Sequence, residues 1–161
     1  MSSIICFHLF AKRLIDRNLC RVDDKNAFLF GAQGPAVFDY GMLTDKHPSE
    51  NCIAFQHWYR TQMDAVRWGD AFADLLDDPN PQIKSYALGI QCWCILEKEI
   101  RPFISYSAAM LWELENGGEE ADYRNLVESS LDTILLRYET GMLPTEISMK
   151  TAVPATEELC E

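Results

Sequence analysis

The sequence predicts an all-α globular fold. Apolar residues between positions 55 and 76 recur at steps of three and four, which is the period of one helical face. Residues 86–96 are apolar nearly all round, so we expect that stretch to be buried on several sides. The run Asn116-Gly117-Gly118 and the glycine Gly141 are strong stop signals on either side of a further helical pattern. Together these patterns predict helices that pack around a hydrophobic hairpin.

The first helix is predicted to start after Ser3, a favourable cap, and to run to about Asn18. Its outward face is charged. The residues predicted to point inward are Ile4, Ile5, His8, Leu9, Ile15 and Leu19. Residues 21–48 are rich in glycine and aromatic side chains, a combination that predicts short helical turns packed on the core rather than a free linker.

The central helix is predicted over residues 52–76. Trp68 and Gly69 lie together in its middle, although a glycine inside a helix costs about 1 kcal/mol relative to alanine. Arg67 and Asp70 are three residues apart and therefore share one side of the helix. Two interpretations fit these residues: a buried helix with an incidental glycine, or a recognition surface to which another backbone comes close.

Two further helical regions complete the prediction. Pro81 suits the first turn of a helix, and Pro102 is expected to break or kink that helix before a separate one over residues 103–115. The last helix is predicted over residues 119–140. Its residues predicted to point inward are Tyr123, Leu126, Val127, Leu131, Ile134, Leu135 and Tyr138.

Length and charge limit the classes of function. The 161 residues suit one domain over positions 1–141, followed by an acidic tail over 142–161 that could not serve as a membrane anchor. The formal net charge of −11 argues against nucleic-acid binding, which needs a basic face. Such acidity suits a DNA mimic or a partner with a basic surface, but more often it only keeps a protein soluble. No segment has the roughly 18 to 20 apolar residues that a membrane span requires.

The cysteine and histidine positions do not predict a catalytic or metal site. The six cysteines fall mostly in apolar helical surroundings, no secretion signal is evident, and free thiols in a reducing cytosol are expected. Cys92 and Cys94 point in nearly opposite directions on a helix, so one zinc ion cannot bind both. No histidine has a nucleophile recognisably beside it. We therefore expect no enzyme activity, no metal and no cofactor.

Residues 63–73 resemble the first homology motif of the Bcl-2 family of apoptosis regulators. The positions that match the motif in register are Asp64, Val66, Trp68, Gly69 and Ala73. Residues 95–104 are similar to the end of that family's sixth helix and its second motif, with Phe103 in place of tryptophan. Residues 5–19 are similar to its first helix. The Asn-Gly-Gly run at 116–118 also resembles the second motif, some twelve residues later than in the family pattern.

The resemblance implies a Bcl-2-like helical bundle, in which a buried hydrophobic hairpin is wrapped by amphipathic helices. It implies a surface groove that captures the death-ligand helix of pro-apoptotic BH3-containing host proteins and thereby inhibits apoptosis, a helix-in-groove mode of binding. The short chain without a membrane tail is more similar to a viral member than to a cellular one, so the expected location is the host cytosol. The residues expected to form the groove are His57, Arg60, Met63, Arg67, Gly69, Asp70, Phe72 and Ala73.

The resemblance leaves several alternatives open. The arginine with which the family pairs the ligand's aspartate is replaced by Asp70, so either Arg67 takes over that pairing or the range of ligands is narrow. Residues 65–72 also resemble the death-ligand motif itself. An unrelated acidic all-α inhibitor or antidote that blocks a basic enzyme is a second hypothesis, and a small enzyme is a third. Whether the chain forms a homodimer stays open.

Overall fold

The computed structural model describes residues 4–35, 69–115 and 119–146, and the secondary structure of these residues is helical without a strand. The α-helices are α1 (Ile4–Asp16), α2 (Lys25–Gly31), α3 (Pro81–Glu115) and α4 (Glu120–Thr140). Short 3-10 helices cover Ala73–Asp77 and Pro144–Glu146. The predicted all-α class is therefore confirmed for the described part of the chain.

Helix α3 contributes to every cluster of buried side chains in the described core. Its first half packs on α1 and α2, and its second half packs on α4. The three clusters are Phe7 with Ile90, Trp93 and Cys94; Ala11 with Phe28, Ala32 and Cys92; and Ile104 with Ala108 and Val127. The prediction that residues 86–96 are largely buried is confirmed, although Ile95 is 59% exposed.

Helices α2 and α3 cross with their backbones in contact at two glycines. A Cβ atom at Gly89 would overlap the carbonyl oxygen of Phe28 and lie 2.7 Å from the backbone nitrogen of Ala32. A Cβ atom at Gly31 would overlap the carbonyl oxygen of Tyr86 and lie 3.2 Å from the Cα atom of Gly89. Only glycine leaves room for this approach. The expected helical turn within residues 21–48 is present as α2, and positions 36–48 lie outside the described residues.

The prediction of a helix break at Pro102 is wrong, because α3 runs through it without interruption. Proline lacks the N–H group that would donate to the carbonyl of Lys98, so the helix loses one hydrogen bond there. Pro102 is exposed, while Trp93 on one side and Ile104 on the other are buried in the core. Packing on both sides of the proline outweighs the loss of one bond and holds the two halves as one helix.

The predicted end of the central helix at residue 76 is also wrong. Residues 69–71 are α-helical, but Ala73–Asp77 is a 3-10 helix. The backbone N–H of Leu75 donates to the carbonyl of Phe72, which is the tighter i to i+3 pattern. Aspartates and a proline follow directly, and both discourage continuation of an α-helix. Positions 52–68 of the predicted helix lie outside the described residues.

Several side chains predicted to point inward are exposed. These are Leu19, Leu126, Ile134 and Tyr138, whereas Leu136, which was not predicted, is fully buried. The buried face of α4 changes along the helix: Tyr123 and Val127 pack towards α3, and Asp132 bonds to α1. A single helical stripe therefore does not describe α4: in its second half Leu131 and Leu135 are half-buried, whereas Ile134 and Tyr138 are exposed.

The predicted helix boundaries at proline and glycine are confirmed. Helix α3 begins at Pro81, and the predicted stop at positions 116–118 lies outside the described residues. Helix α4 ends at Gly141, which has the left-handed φ of 75° and donates its N–H to the carbonyl of Arg137. Among the helices described, none combines the length and hydropathy needed to cross a bilayer.

Candidate functional site

A surface groove lies between the segment that contains Gly69 and the first half of α3. Its volume is about 540 Å³. Most of the side chains that form it are apolar. The residues that line it are Gly69, Asp70, Ala73 and Leu76 on one wall, and Leu88, Gln91, Cys94, Ile95 and Lys98 on the other. The groove thus brings part of the motif region against a helix that lies further along the chain.

The two walls are joined at Gly69. The side-chain Nε2 of Gln91 donates a hydrogen bond of 2.7 Å to the carbonyl oxygen of Gly69. A Cβ atom at Gly69 would lie 3.3 Å from Oε1 of Gln91 and 3.9 Å from the sulfur of Cys94. The bare side of Gly69 therefore faces α3, and the glycine allows the two walls to approach each other.

The α3 wall presents one helical face to the groove. Leu88, Gln91, Ile95 and Lys98 are spaced by three, four and three residues, so their side chains lie in one row. Ten residues of α-helix separate the first from the last, which makes the wall about 15 Å long. Ile95 is the most exposed apolar side chain on this wall of the groove. Singly exposed apolar side chains are common on protein surfaces, so Ile95 is informative because it lies within the groove row rather than because it is exposed.

The groove carries one charged side chain on each wall, Asp70 on one and Lys98 on the other. Gly69 contacts Gln91, and Phe72 packs on Tyr86 one and a half turns earlier in α3, so the two walls run antiparallel. In this arrangement the residues after Gly69 advance towards the start of α3, so Leu76 lies towards Leu88, and Lys98 lies beyond Gln91 in the opposite direction. Asp70 and Lys98 are both exposed. The two walls of the groove therefore present charges of opposite sign to a ligand.

The structure places the predicted groove residues in three different ways. Gly69, Asp70 and Ala73 line the groove. Phe72 instead packs on Tyr86 with ring centroids 6.1 Å apart and contributes to the edge of the core. The other predicted residues, which lie outside the described residues, are His57, Arg60, Met63 and Arg67.

Six groove residues were not predicted from the sequence. These are Leu76, Leu88, Gln91, Cys94, Ile95 and Lys98. One signal was available for them: Gln91 is the only strongly polar side chain between Ala87 and Leu96. A glutamine within such an apolar helix needs a hydrogen-bond partner, and here that partner is the backbone of Gly69.

Burial suppresses the acidity of the thiols on α3. It raises the pKa of Cys92 to about 12, and the neighbouring Cys20 and Cys94 add to this increase. It raises the pKa of Cys94 to about 11, although backbone hydrogen bonds, including one from Gly69, act in the opposite direction. Since the thiolate is the reactive form, both side chains are expected to be poor nucleophiles. Cys6, Cys20, Cys92 and Cys94 are free thiols, and positions 52 and 160 lie outside the described residues.

We predict that Cys92 and Cys94 resist alkylation at pH 8 until the protein unfolds. Iodoacetamide labelling followed by peptide mass spectrometry measures the alkylation rate of each cysteine, once in buffer for the folded protein and once in denaturant for the unfolded protein. Cys20 is the internal control, since it is only half-buried and should react faster in the folded protein. Equal rates for Cys92 in the folded and unfolded protein would contradict its placement in the core.

The described residues contain no group of three or more histidine, cysteine or acidic side chains placed to hold a metal ion. Comparison with protein-family models, curated proteins and solved structures finds no match to this chain.

Proposed function

We propose that this protein binds an amphipathic α-helix in the groove between the Gly69 segment and α3. In the specific form of this proposal, the protein is a Bcl-2-like inhibitor of apoptosis that sequesters death-ligand helices. The observation that carries the proposal is the groove itself, because three of the motif-derived residues, Gly69, Asp70 and Ala73, line it together with the exposed Ile95.

The dimensions of the groove support a helical ligand. A wall of about 15 Å matches about three turns of helix, enough for apolar anchors at positions i, i+3 or i+4, and i+7 of a ligand. Ala73, Leu76, Leu88 and Ile95 supply the apolar surface that such anchors need. Ile95 is exposed and Leu76 and Leu88 are half-buried, so an apolar ligand face would remove further apolar area from water.

The architecture is compatible with the same proposal. The first half of α3 is buried, and the amphipathic helices α1 and α2 pack on it. A buried helix wrapped by amphipathic helices is the arrangement expected of a Bcl-2-like bundle. We propose this fold class for the chain within the confirmed all-α class.

Lys98 supplies the cation that the expected motif lacks at Asp70. It lines the α3 wall of the groove and is exposed. An acidic residue on the ligand helix would therefore pair with Lys98, and Asp70 would favour a basic ligand residue nearby. Arg67, the cation expected from the sequence as one alternative, lies outside the described residues.

We predict that Lys98→Glu weakens binding of a death-ligand peptide by at least tenfold. Charge-assisted hydrogen bonds are worth roughly 1.5 to 3 kcal/mol, and the reversed charge adds repulsion. Isothermal titration calorimetry measures the change. Lys84→Glu is the matched control, because it makes the same charge change at an exposed site on α3 outside the groove.

A peptide whose acidic residue is replaced by alanine completes a double-mutant cycle. With that peptide, Lys98→Glu and the parent protein should bind almost equally. An equal loss for both peptides would mean that Lys98 does not pair with the ligand's acid.

A second candidate is an acidic inhibitor of a basic partner enzyme. The observation that favours it is the run of exposed aspartates Asp70, Asp74 and Asp77 beside the groove, in a chain with a net charge of −11. This function predicts tight, salt-sensitive binding to a basic protein and no binding of death-ligand peptides.

A further inference from the structure

A second cleft lies between α1 and α4, and two side-chain links border it. The backbone N–H of Cys6 donates a hydrogen bond of 2.8 Å to Oδ1 of Asp132. The guanidinium of Arg13 pairs with the carboxylate of Glu139. Cys6 and Arg13 are seven residues apart on α1, and their partners Asp132 and Glu139 are seven residues apart on α4 in the same order. The two helices therefore run in the same direction and are linked at two points, about two turns apart.

The space between the two links is an apolar cleft. Its volume is about 210 Å³, and it shares no lining residue with the helix-binding groove. Leu96 and Ile100 of α3 form its third side. The remaining residues that line it are Cys6, Leu9, Phe10 and Arg13 of α1, and Leu135 and Glu139 of α4.

The size of the cleft defines the size of its ligand. An apolar protein cavity of about 150 Å³ stays dry and binds benzene. A cleft somewhat larger than that suits one aromatic ring with a short substituent. It is far too small for a turn of helix, so its ligand differs in kind from the ligand of the groove.

The ion pair defines the head group of the ligand. The side chains of Arg13 and Glu139 are 46% and 29% exposed, whereas Cys6 is buried, so the pair lies at the mouth of the cleft. Within the described residues, Arg13 donates one side-chain hydrogen bond to Oε1 of Glu139 and uses none of its other N–H groups. The mouth therefore offers spare donors beside a carboxylate acceptor and is neutral overall.

We propose that this cleft binds a small neutral molecule that joins an aromatic or branched apolar group to a carboxamide. The carboxamide C=O would accept from Arg13, and its N–H would donate to Glu139. A charged ligand would be attracted by one member of the pair and repelled by the other, so it would gain little net attraction to offset the cost of its desolvation. A pure hydrocarbon would leave the bonding groups at the mouth unused.

Titration with four matched ligands, followed by ¹H–¹⁵N NMR spectra of the labelled full chain, tests this assignment. The ligands are phenylacetamide, phenylacetate, phenethylamine and toluene. Phenylacetamide is expected to shift the amide signals of Leu9, Phe10 and Ile100 and to bind at least tenfold more tightly than the other three. Absence of binding, shifts confined to other residues, or tighter binding of phenylacetate would overturn the proposal.

Two variants test the location. Leu135→Phe fills the cleft and should abolish binding of phenylacetamide, whereas Ile134→Phe adds the same ring at an exposed neighbouring position outside the cleft and should leave binding unchanged. If Leu135→Phe does not fold, Arg13→Leu at the exposed mouth replaces it; this variant has no side-chain donor and should reduce the preference for the amide over toluene at least tenfold. Unchanged amide affinity in a folded Leu135→Phe variant, or unchanged preference in Arg13→Leu, would refute the site.

Discussion

Replacing Gly89 with alanine is expected to destabilise the protein by about 3 kcal/mol or more, at the upper end of what overpacking usually costs. In most helices this change stabilises by up to about 1 kcal/mol, since alanine has the better helix propensity. Here the added Cβ would overlap the carbonyl of Phe28 and crowd Ala32, both of which are backbone neighbours that cannot rotate away. Helices α2 and α3 would have to separate.

Urea unfolding followed by circular dichroism measures this loss. Gly141→Ala is the matched control, because nothing lies within 4 Å of a Cβ at that position. Its left-handed φ of 75° alone should cost about 1 to 2 kcal/mol. If Gly89→Ala were no less stable than Gly141→Ala, α2 and α3 could not cross in backbone contact as described.

Replacing Ile95 with glutamate is expected to weaken binding of a death-ligand peptide at least a hundredfold, which corresponds to about 2.7 kcal/mol. The new carboxylate would lie in the apolar row of α3 and would be desolvated by the ligand without a partner. Because the isoleucine is more than half exposed in the free protein, the free energy of unfolding should change by only about 0.5 kcal/mol or less.

Phe103→Glu is the matched control for Ile95→Glu. Phe103 is 55% exposed on the same helix, and it is not among the residues that line the groove. Calorimetric titration of the two variants should therefore show loss of binding for Ile95→Glu alone. Equal losses for both would indicate a general effect of charge or of surface apolar area rather than a specific groove.

Helix ends that depend on the backbone conformation of a single residue could be predicted from the sequence. Pro81 begins α3 and Gly141 ends α4, since each acts through its own backbone conformation. The continuation of α3 through Pro102 could not be predicted in this way, because packing at Trp93 and Ile104 decides it. The same limit applies to α4, whose buried face depends on which neighbour it meets along its length.

The groove was predicted in part for a similar reason. The motif resemblance directed attention to Gly69, Asp70 and Ala73, which are close together in the chain. The opposite wall comes from α3, and no local pattern shows that Ile95 and Lys98 face that segment. The resemblance also gave Gly69 a different role, since its bare side faces Gln91 rather than an approaching ligand backbone.

The most direct test of the proposed function is an NMR titration of the ¹⁵N-labelled full chain with a death-ligand peptide. The groove predicts that the side-chain amide of Gln91 and the backbone amides of Gly69, Ile95 and Lys98 shift together and saturate at one equivalent of peptide. Signals from Arg13 and Leu135, which line the other cleft, should stay in place. A spectrum that does not change, or shifts that avoid both walls of the groove, would contradict helix capture at this site.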